Sequence, residues 1–313
     1  MKKIMILAGG TATAWHLVKE IEKYYNSMLE VYICDINPPY LIPSSTKAKK
    51  FIQVPPISSN TYYEYIMSIL EENKIDIIVP LIDFDLGIFS KDNEDLKKIN
   101  VKSTAPTKAV VDLLSDKKNM ALWLKQLGIK VPKLYNLDEL EVDKNYVLKP
   151  KKGFGSRGIF IGNGKDVRSQ YNDDFIIQEL CENKEVTVEI FKAEKGINTI
   201  CRERIEVKSG VCTKARIYKD NKLQDIILKI TENIELPNAS CIQFMKNRYG
   251  EWCITDINLR LGAGTALSSK IGWQLARAAI GEWIGIDMDY SKLFVNFEGD
   301  KYVVRVYEEV EMI

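Results

Sequence analysis

The chain has 313 residues, and its 44 basic and 43 acidic side chains give a formal net charge of +1. This balance, without a basic stripe, argues against a nucleic-acid-binding protein. The length is sufficient for two or three domains. The composition, 46% hydrophobic and 28% charged, is ordinary for a globular protein.

The sequence also argues against membrane, secreted and histidine-dependent proteins. No stretch approaches the roughly 18 consecutive apolar residues of a membrane span. The short apolar run near the start meets Gly9-Gly10 too soon for a signal peptide, and the six cysteines have no CxxC or zinc-site spacing. We therefore expect a cytoplasmic protein with reduced, buried thiols. The only histidine, His16, lies in an apolar helical pattern and is interpreted as a packed residue.

The first hundred residues alternate between strand-like and helix-like patterns. This alternation predicts a parallel doubly wound sheet, and hence a Rossmann-like α/β domain over residues 1–103. Asp83 and Asp85 follow the last apolar strand, and such strand ends commonly face ligands. The predicted elements are strands at 3–8, 29–36 and 75–83 and helices at 14–25 and 61–73.

The remainder of the chain has the pattern of an α+β domain. Ser115 is predicted as the N-cap of a helix with apolar residues over 120–127, and Gly128 as its end. From residue 145 onward, apolar and polar residues alternate as in antiparallel strands. The predicted hairpin turns are 208–210 and 248–250, and a further helix is predicted near 265–284.

A glycine-rich loop, KPKKGFGSRG at 149–158, ends in G-x-G-x-x-G. A dinucleotide-binding turn requires a helix after the glycines, whereas Ile159-Phe160-Ile161 and Gly162-Asn163-Gly164 are strand and turn. No Gly-Lys-Ser/Thr follows, so a Walker A loop is excluded as well. A strand–loop–strand hairpin lets backbone N–H groups approach phosphates, with Lys149 on the incoming strand. A mobile surface hairpin explains the loop, taken alone, equally well.

A second cluster favours the phosphate interpretation. Period-two spacing places Asp256, Asn258 and Arg260 on one face of a strand. Oxygen ligands from Gln243, Asp256 and Asn258 suit Mg²⁺ that bridges phosphates. Arg260 suits a transferred phosphoryl group or a carboxylate. Four basic residues on the preceding strands are interpreted mainly as a solvated face, with an acidic substrate as the alternative: Arg202, Arg204, Lys214 and Arg216.

Together and in order, these motifs resemble the ATP-grasp superfamily, in its carbamoyl-phosphate-synthase-like branch of carboxylate–amine ligases. The resemblance spans nearly the whole chain. It implies a small α/β domain followed by a two-lobed ATP-grasp domain at 104–313, with the flap lobe at about 104–174 and the metal lobe at 175–313. The segments that carry it are Asp116-Lys117, Gly128-Ile129-x-x-Pro132, Val147 to Pro150, Gly153 to Gly158, Gln178 to Cys181, Gln243, Asp256 to Arg260 and Ala266 to Gly272.

The resemblance implies roles for individual residues. Lys149 and Arg260 would be catalytic, and Gln243, Asp256 and Asn258 would bind the metal. The segment Gln178 to Cys181 would hold adenine through its backbone, and Glu185 would bind ribose. The full nucleotide-binding set would be Lys117, Lys149, Gly153, Gly155, Ser156, Arg157, Gly158, Gln178, Glu179, Leu180, Cys181 and Glu185.

The resemblance further implies ATP and Mg²⁺ as cofactors, with Mn²⁺ as an alternative metal, and small-molecule carboxylate and amine substrates. It is compatible with a homodimer. The carboxylate would attack the γ-phosphorus of ATP to form an acyl phosphate, from which an amine would displace phosphate. The family usually has Glu-x-Asn-Pro-Arg where this chain has Asp256-Ile257-Asn258-Leu259-Arg260. A working enzyme is favoured, because charge and oxygen count persist.

Two other functions stay open at this point. The first is a nucleotide-binding regulatory or scaffold protein with an impaired ligase site, which would bind ATP without turnover. The second is a nicotinamide-dependent oxidoreductase that uses Gly9-Gly10 and Asp35 in the first domain, although the G-x-G-x-x-G fingerprint is not found there.

Overall fold

The structure, a computed structural model, describes residues 1–153, 158–182 and 184–312. It begins with a five-stranded parallel sheet, in the order β3-β2-β1-β4-β5. The inner strands are almost wholly apolar because helices cover both faces of the sheet. The predicted doubly wound α/β domain is confirmed. Its strands are β1 (Lys2–Ile6), β2 (Leu29–Asp35), β3 (Lys50–Gln53), β4 (Ile77–Val79) and β5 (Lys102–Ser103).

Four helices accompany this sheet: α1 (Ala12–Tyr24), α2 (Tyr62–Glu72), α3 (Asp83–Ile88) and α4 (Glu94–Lys98). Helices α2 and α4 pack on one face and α1 on the other. The strand predicted at 75–83 is too long. It ends at Val79, because Pro80 has no N–H group with which to continue the ladder, and Asp83 begins α3 instead.

Two adjacent helices lead into the second part of the chain, α5 (Lys108–Ser115) and α6 (Lys117–Gln126). The predicted N-cap at Ser115 is wrong, because Ser115 is the last residue of α5, a helix that the sequence did not suggest. Asp116 is the N-cap of α6, and its carboxylate accepts hydrogen bonds from the N–H groups of Lys118 and Asn119 at 2.9 and 3.1 Å.

An antiparallel four-stranded sheet follows, in the order β6-β9-β7-β8. Strands β7 and β8 pair with each other on either side of the glycine loop, which confirms the predicted strand–loop–strand arrangement. Helix α7 packs on this sheet through Val167, against Tyr146 and Leu148. The elements are β6 (Leu134–Tyr135), β7 (Asn145–Pro150), β8 (Phe160–Asn163), α7 (Gly164–Gln170) and β9 (Phe175–Glu179).

The largest sheet has six antiparallel strands, in the order β14-β13-β10-β11-β12-β15. The predicted turn at 208–210 is confirmed: Ser209 and Gly210 both have positive φ, 47° and 77°, as a tight hairpin requires. The strands are β10 (Glu185–Ala193), β11 (Gly196–Lys208), β12 (Val211–Tyr218), β13 (Ala239–Lys246), β14 (Trp252–Asn258) and β15 (Lys301–Val304).

Three helices pack around the six-stranded sheet: α8 (Asn221–Asn233), α9 (Thr265–Ser268) and α10 (Leu275–Ile284). Helix α8 was not predicted. The helix predicted near 265–284 is divided at Gly272, whose φ of +88° is left-handed and ends the first part.

The two faces of the six-stranded sheet differ in chemistry. Val188, Ile242 and Ile257 lie on the face that packs against α5, α6 and α8. The opposite face, here called the polar face, carries two cross-strand rows. Beyond these rows, the same face packs against α10 and α1 in one continuous core. The first row is Asp256, Gln243, Thr187 and Arg202, and the second is Asn258, Cys241, Glu189 and Ile200.

Asp85 generates a prediction about stability. It is 1% exposed, accepts a hydrogen bond from the Tyr62 hydroxyl at 2.8 Å, and burial raises its pKa to about 7. As the pH rises, the Asp85 carboxyl of the unfolded chain, which has its ordinary pKa, loses its proton before the carboxyl of the folded chain does. The free energy of unfolding should therefore fall between about pH 4 and pH 7, by on the order of 4 kcal/mol at most. Asp85→Asn should remove this fall, as measured by urea unfolding across that range.

The matched control for this measurement is Asp225→Asn, which changes an exposed aspartate on α8. It should keep the pH dependence of the wild-type protein. A fall that persists unchanged in Asp85→Asn would show that another group causes it.

Candidate active site

A cavity of about 230 Å³ lies between the four-stranded and six-stranded sheets. Val147 and Ile161 line it from the four-stranded sheet, and Gln243, Met245 and Asp256 from the polar face of the six-stranded sheet. Apolar walls with a few converging polar groups are typical of small-molecule sites. Most residues of the predicted nucleotide set that the structure describes lie along this cavity.

Lys149 extends from β7 into the cavity and is 7% exposed. Its ammonium donates to the Thr255 carbonyl at 3.0 Å. Thr255 has no residue opposite it on β13, because a bulge in β14 shifts the register between Gln243 and Phe244. Burial lowers the pKa of Lys149 to about 8; nearby Asp256 opposes the shift and Lys117 adds to it.

Lys117, the first residue of α6, reaches the same place. Its ammonium donates to the Gly153 carbonyl at 3.2 Å and lies 3.8 Å from an Asp256 carboxylate oxygen. Two buried lysines therefore lie near one aspartate, an excess of positive charge that suits an anionic ligand.

Gly153 and Gly158 lie at the two ends of the glycine loop and have φ of +146° and +75°, conformations that a side chain would strain. Between them, the predicted phosphate-contacting residues Gly155, Ser156 and Arg157 lie outside the described residues.

The segment from Gln178 to Cys181 borders the cavity where β9 ends. Glu179 is already hydrogen-bonded to Lys133. Its N–H donates to the Lys133 carbonyl at 2.9 Å, and its carboxylate accepts from the Lys133 N–H at 3.0 Å. The N–H groups of Leu180 and Cys181, in contrast, donate to no residue that the structure describes. Cys181 is buried, and because buried backbone donors are normally paired, its N–H group is available to a ligand. Leu180 is exposed, and its N–H group borders the same cavity.

The Gln178 side chain supports the same conclusion. It is 3% exposed, and its amide nitrogen has no hydrogen-bond partner within the described ranges. A buried amide without a partner is costly in a folded protein and frequently marks a ligand site.

Glu185, at the start of β10, lines the cavity and accepts a hydrogen bond from Arg204 of the neighbouring strand. The interpretation of the basic residues as a solvated face is therefore wrong for Arg204, and also for Arg202, which is 4% exposed and bonded to Glu189. Glutamates and arginines on two consecutive predicted strands are a pattern of opposite charges that could have indicated cross-strand pairs.

The other two basic residues match the solvated interpretation better. Lys214 and Arg216 form ion pairs with Glu206 and Glu203 at 2.9 and 2.6 Å, and their side chains keep 49% and 27% of their surface exposed.

The candidate metal ligands lie together on the polar face. Gln243 and Asp256 are directly opposite each other on β13 and β14, and Asn258 follows on the same face. The described residues hold no group of three or more His, Cys, Asp or Glu side chains that could bind a metal alone. One carboxylate and two amides fit Mg²⁺ that is held jointly by phosphates, which is the usual arrangement for this ion.

Arg260 does not share the strand face predicted for it. Strand β14 ends at Asn258, so Arg260 lies beyond the strand, and its side chain extends to the first domain. Its Nε donates to Asp83 at 2.8 Å, and one Nη lies 3.4 Å from the Asn258 side-chain oxygen. This ion pair joins the two domains beside the candidate metal ligands.

A second cavity, of about 150 Å³, adjoins the first. The two share Lys117, Gly153 and Asp256 as lining residues. The other residues that line the second cavity include Asp83 of the first domain and Asp112 of α5. Asp112 was not a candidate, because its helix was not recognised in the sequence.

The other predicted ligand position, Gly9-Gly10 with Asp35, is filled by local contacts. The Asp35 carboxylate accepts from the Gly10 N–H at 2.7 Å and from both the backbone and side-chain nitrogens of Asn37 at 2.9 Å. A Cβ at Gly9 would lie 2.3 Å from the Ile33 side chain. Three local hydrogen bonds therefore already engage the carboxylate that a ribose would require.

Two family models match the sequence. Residues 4–104 match the PylC-like N-terminal domain, and residues 114–264 match the ATP-grasp domain. The chain belongs to the ATP-grasp superfamily. The resemblance inferred from the ordered motifs is thereby confirmed, whereas the individual site residues and the exact domain boundaries stay predictions. No curated protein sequence matches the chain significantly.

Several solved structures share the fold. The biotin carboxylase domain of the Hydrogenobacter thermophilus 2-oxoglutarate carboxylase, with MgADP, ADP and bicarbonate, is 16% identical with a TM-score of 0.74, over 96% of this chain and 73% of that one. N5-carboxyaminoimidazole synthetase from Staphylococcus aureus, with ADP, is 17% identical with a TM-score of 0.71, over 92% of this chain and 78% of that one. Campylobacter jejuni biotin carboxylase is 17% identical with a TM-score of 0.71, over 96% of this chain and 75% of that one.

Across the part of the ATP-grasp chain that the structure describes, no helix is long and apolar enough to cross a membrane.

The buried Lys149 leads to a prediction about stability. Because burial lowers its pKa, the charged lysine destabilises the fold below about pH 8, and this penalty is relieved as the pH rises from there towards the pKa of the unfolded lysine. Lys149→Met should therefore raise the free energy of unfolding at pH 7, by roughly 1–3 kcal/mol. Urea unfolding measures the change. The exposed Lys222→Met on α8 is the control, and a loss of stability in Lys149→Met would contradict the assignment.

Proposed function

We propose that this ATP-grasp protein is an ATP-dependent carboxylate–amine ligase that acts through an acyl phosphate. The observation that carries the proposal is the convergence of Lys117, Lys149 and Asp256 where two cavities meet. One cavity has the features of a nucleotide site, and the other adjoins its phosphate end.

The nucleotide would bind along the larger cavity. Leu180 and Cys181 supply N–H groups, unpaired among the described residues, for the edge of an adenine ring, and Glu185 lies nearby for the ribose hydroxyl groups. Lys117 and Lys149 would meet the phosphates, together with the backbone of the glycine loop at 153–158. The excess positive charge of the two lysines would then be neutralised by the ligand.

Mg²⁺ fits the remaining oxygen groups. Gln243, Asp256 and Asn258 would hold the ion, and Mn²⁺ has the same preference for oxygen ligands. When bound, the ion would neutralise charge on the phosphates and help to align them. Aspartate at position 256 supplies the charge and oxygen atoms of the usual glutamate.

The smaller cavity would hold the reacting carboxylate. Its oxygen attacks the γ-phosphorus while the bond from that phosphorus to the ADP oxygen breaks, which yields an acyl phosphate and ADP. An amine nitrogen then attacks the acyl carbon and loses a proton, and phosphate leaves with the bonding electron pair. The products are an amide, ADP and phosphate.

The residues of the chain would act mainly by position and charge. Lys149 and Arg260 would stabilise the charge that develops on the transferred phosphoryl group. Asp83 would orient the Arg260 guanidinium from the first domain. The loop at 153–158 would exclude water from the acyl phosphate. None of these steps needs a histidine, which agrees with the single histidine of the chain.

The central test is Mg²⁺-dependent release of ADP from ATP, measured with panels of small carboxylates and amines. Hydroxylamine should trap the acyl phosphate as a hydroxamate. Asp256→Ala and Lys149→Ala should each reduce the rate at least a hundredfold, because removing a preorganised charge costs about 3 kcal/mol or more. The exposed control Lys222→Ala should keep the wild-type rate.

The outcomes separate the candidate functions. Full activity in both Asp256→Ala and Lys149→Ala would show that the site assignment is wrong. ATP binding without ADP release, across the substrate panels, would instead support the alternative of a nucleotide-binding regulatory protein.

The lowered pKa of Lys149 predicts a pH dependence of nucleotide binding. The lysine is charged below about pH 8, and a phosphate ligand favours the charged form. Affinity for MgADP should therefore weaken several-fold between pH 7 and pH 9.5, as measured by calorimetry. The arginine in Lys149→Arg stays charged between pH 7 and pH 9.5, so this variant should lose most of the pH dependence of MgADP affinity. An equal dependence in the arginine variant would exclude Lys149 as its cause.

A further inference from the structure

A cleft of about 510 Å³ lies on the six-stranded sheet, apart from the two cavities of the candidate active site. Its floor includes Val186, Glu203 and Arg216, which stand opposite one another on β10, β11 and β12. Val186 lies two residues from Val188, so this row belongs to the face that packs against α8. The nucleotide cavity reaches the opposite, polar face, and the sheet separates the two places.

Aromatic rings line the cleft at both ends. Lys246 and Trp252 are paired across β13 and β14 at one end, and Tyr218 is the last residue of β12 at the other. Each ring has a cation over it: the Lys246 ammonium lies 5.0 Å from the centre of the Trp252 ring, and the Arg216 guanidinium lies 4.6 Å from that of Tyr218. These contacts hold a cation at each end of the cleft.

Positive charge predominates in the cleft. Of the described residues, only Glu203 and Asp220 bring acid groups into its lining. The Asp220 carboxylate is used as the N-cap of α8, where it accepts two backbone hydrogen bonds at 2.9 and 3.2 Å. The lining of this basic cleft, as it is called here, includes the cations Lys184, Arg216, Lys219 and Lys246.

Glu203 lies between two of these cations. Its carboxylate oxygens lie 3.6 Å from the Lys184 ammonium and 2.6 Å from the Arg216 guanidinium. Arg216 has a second partner in Asp300, at 3.0 Å. The two acids therefore balance Lys184 and Arg216 and leave no negative charge for the other two cations.

Lys219 and Lys246 form no ion pair among the residues that the structure describes. The Lys219 ammonium donates to the neutral side chain of Asn296 at 2.6 Å, and the Lys246 ammonium contacts the Trp252 ring. The whole chain carries a formal net charge of only +1, so this excess is a local feature of the cleft. Two ammonium groups without an acid suit an anionic ligand.

The distance between the two lysines constrains the ligand. Lys246 lies on β13 and Lys219 directly follows β12, and three strand intervals separate these strands. At about 4.8 Å per interval, the two strands are roughly 14 Å apart. A molecule with an anionic group at each end can pair with both lysines, which a single phosphate group held at one of them cannot. Val186, on β10 between them, provides an apolar floor.

We propose that the basic cleft is a second ligand site, which binds a small molecule with two anionic groups. Lys246 holds one group, and Lys219 with Arg216 holds the other. The groups are phosphates or carboxylates, since both accept hydrogen bonds from lysine and arginine. Because the sheet lies between this cleft and Asp256, the bound molecule is not a substrate of the proposed ligation, and the site does not depend on that function.

Trp252 makes the site observable without any enzyme assay. The full chain is labelled with 5-fluorotryptophan at its five tryptophans, and Trp252→Phe identifies the ¹⁹F signal of Trp252. Butane-1,4-diphosphonate, adipate, inorganic phosphate and chloride are titrated at matched ionic strength. The diphosphonate or adipate should shift the Trp252 signal to saturation, at least tenfold more tightly than phosphate, because two anchored groups bind together. The comparison of diphosphonate with adipate identifies the preferred group.

Variants test the assignment. Lys246→Met should weaken binding at least tenfold. Lys219→Met, an exposed change, should weaken it several-fold and serves if Lys246→Met does not fold. The matched control is Lys229→Met, an exposed lysine of α8 outside the cleft, which should bind as the wild-type protein does.

Three results would overturn the proposal. The first is an equal shift of the Trp252 signal with chloride, and the second is unchanged binding in both Lys246→Met and Lys219→Met. The third is loss of the shift in Lys149→Met, which would place the bound anion in the nucleotide cavity instead. Because no ATP is present, failure of the ligase assay leaves these results unaffected.

Discussion

The register of the six-stranded sheet is the constraint on which the rest of the site depends. Asp256 lies opposite Gln243, Gln243 opposite Thr187, and Thr187 opposite Arg202, so one face receives the acid, the amide and the arginine together. A slip of one residue in any of these strands would turn its polar side chains into the apolar core. The same alternation that buries Ile242 and Ile257 thus presents their neighbours to the cleft.

The site keeps an excess of buried positive charge that the fold alone does not need. Lys117 and Lys149 lie near one aspartate, so their combined positive charge exceeds the negative charge beside them. Such arrangements reduce stability, and they persist in proteins where a ligand supplies the missing negative charge. The lysines lie where nucleotide phosphates would bind.

Much of the architecture follows from sequence periodicity, and the ordered motifs were sufficient to indicate the superfamily. Local patterns could not give the contacts made across long separations. The ion pair of Arg260 with Asp83 joins residues 177 positions apart, and the inward orientation of Arg202 and Arg204 depends on pairing with β10. Helices α5 and α8 were not recognised, so Asp112 was not considered. The segment at 154–157, central to the flap hypothesis, lies outside the described residues.

The most direct test of the account is a crystal structure of the chain with Mg²⁺ and a non-hydrolysable ATP analogue. In that structure, the adenine edge should accept a hydrogen bond from Leu180 or Cys181, the phosphates should lie between Lys117 and Lys149, and the metal should contact Asp256. A nucleotide bound instead beside Gly9-Gly10 and Asp35, or phosphates remote from both lysines, would contradict it.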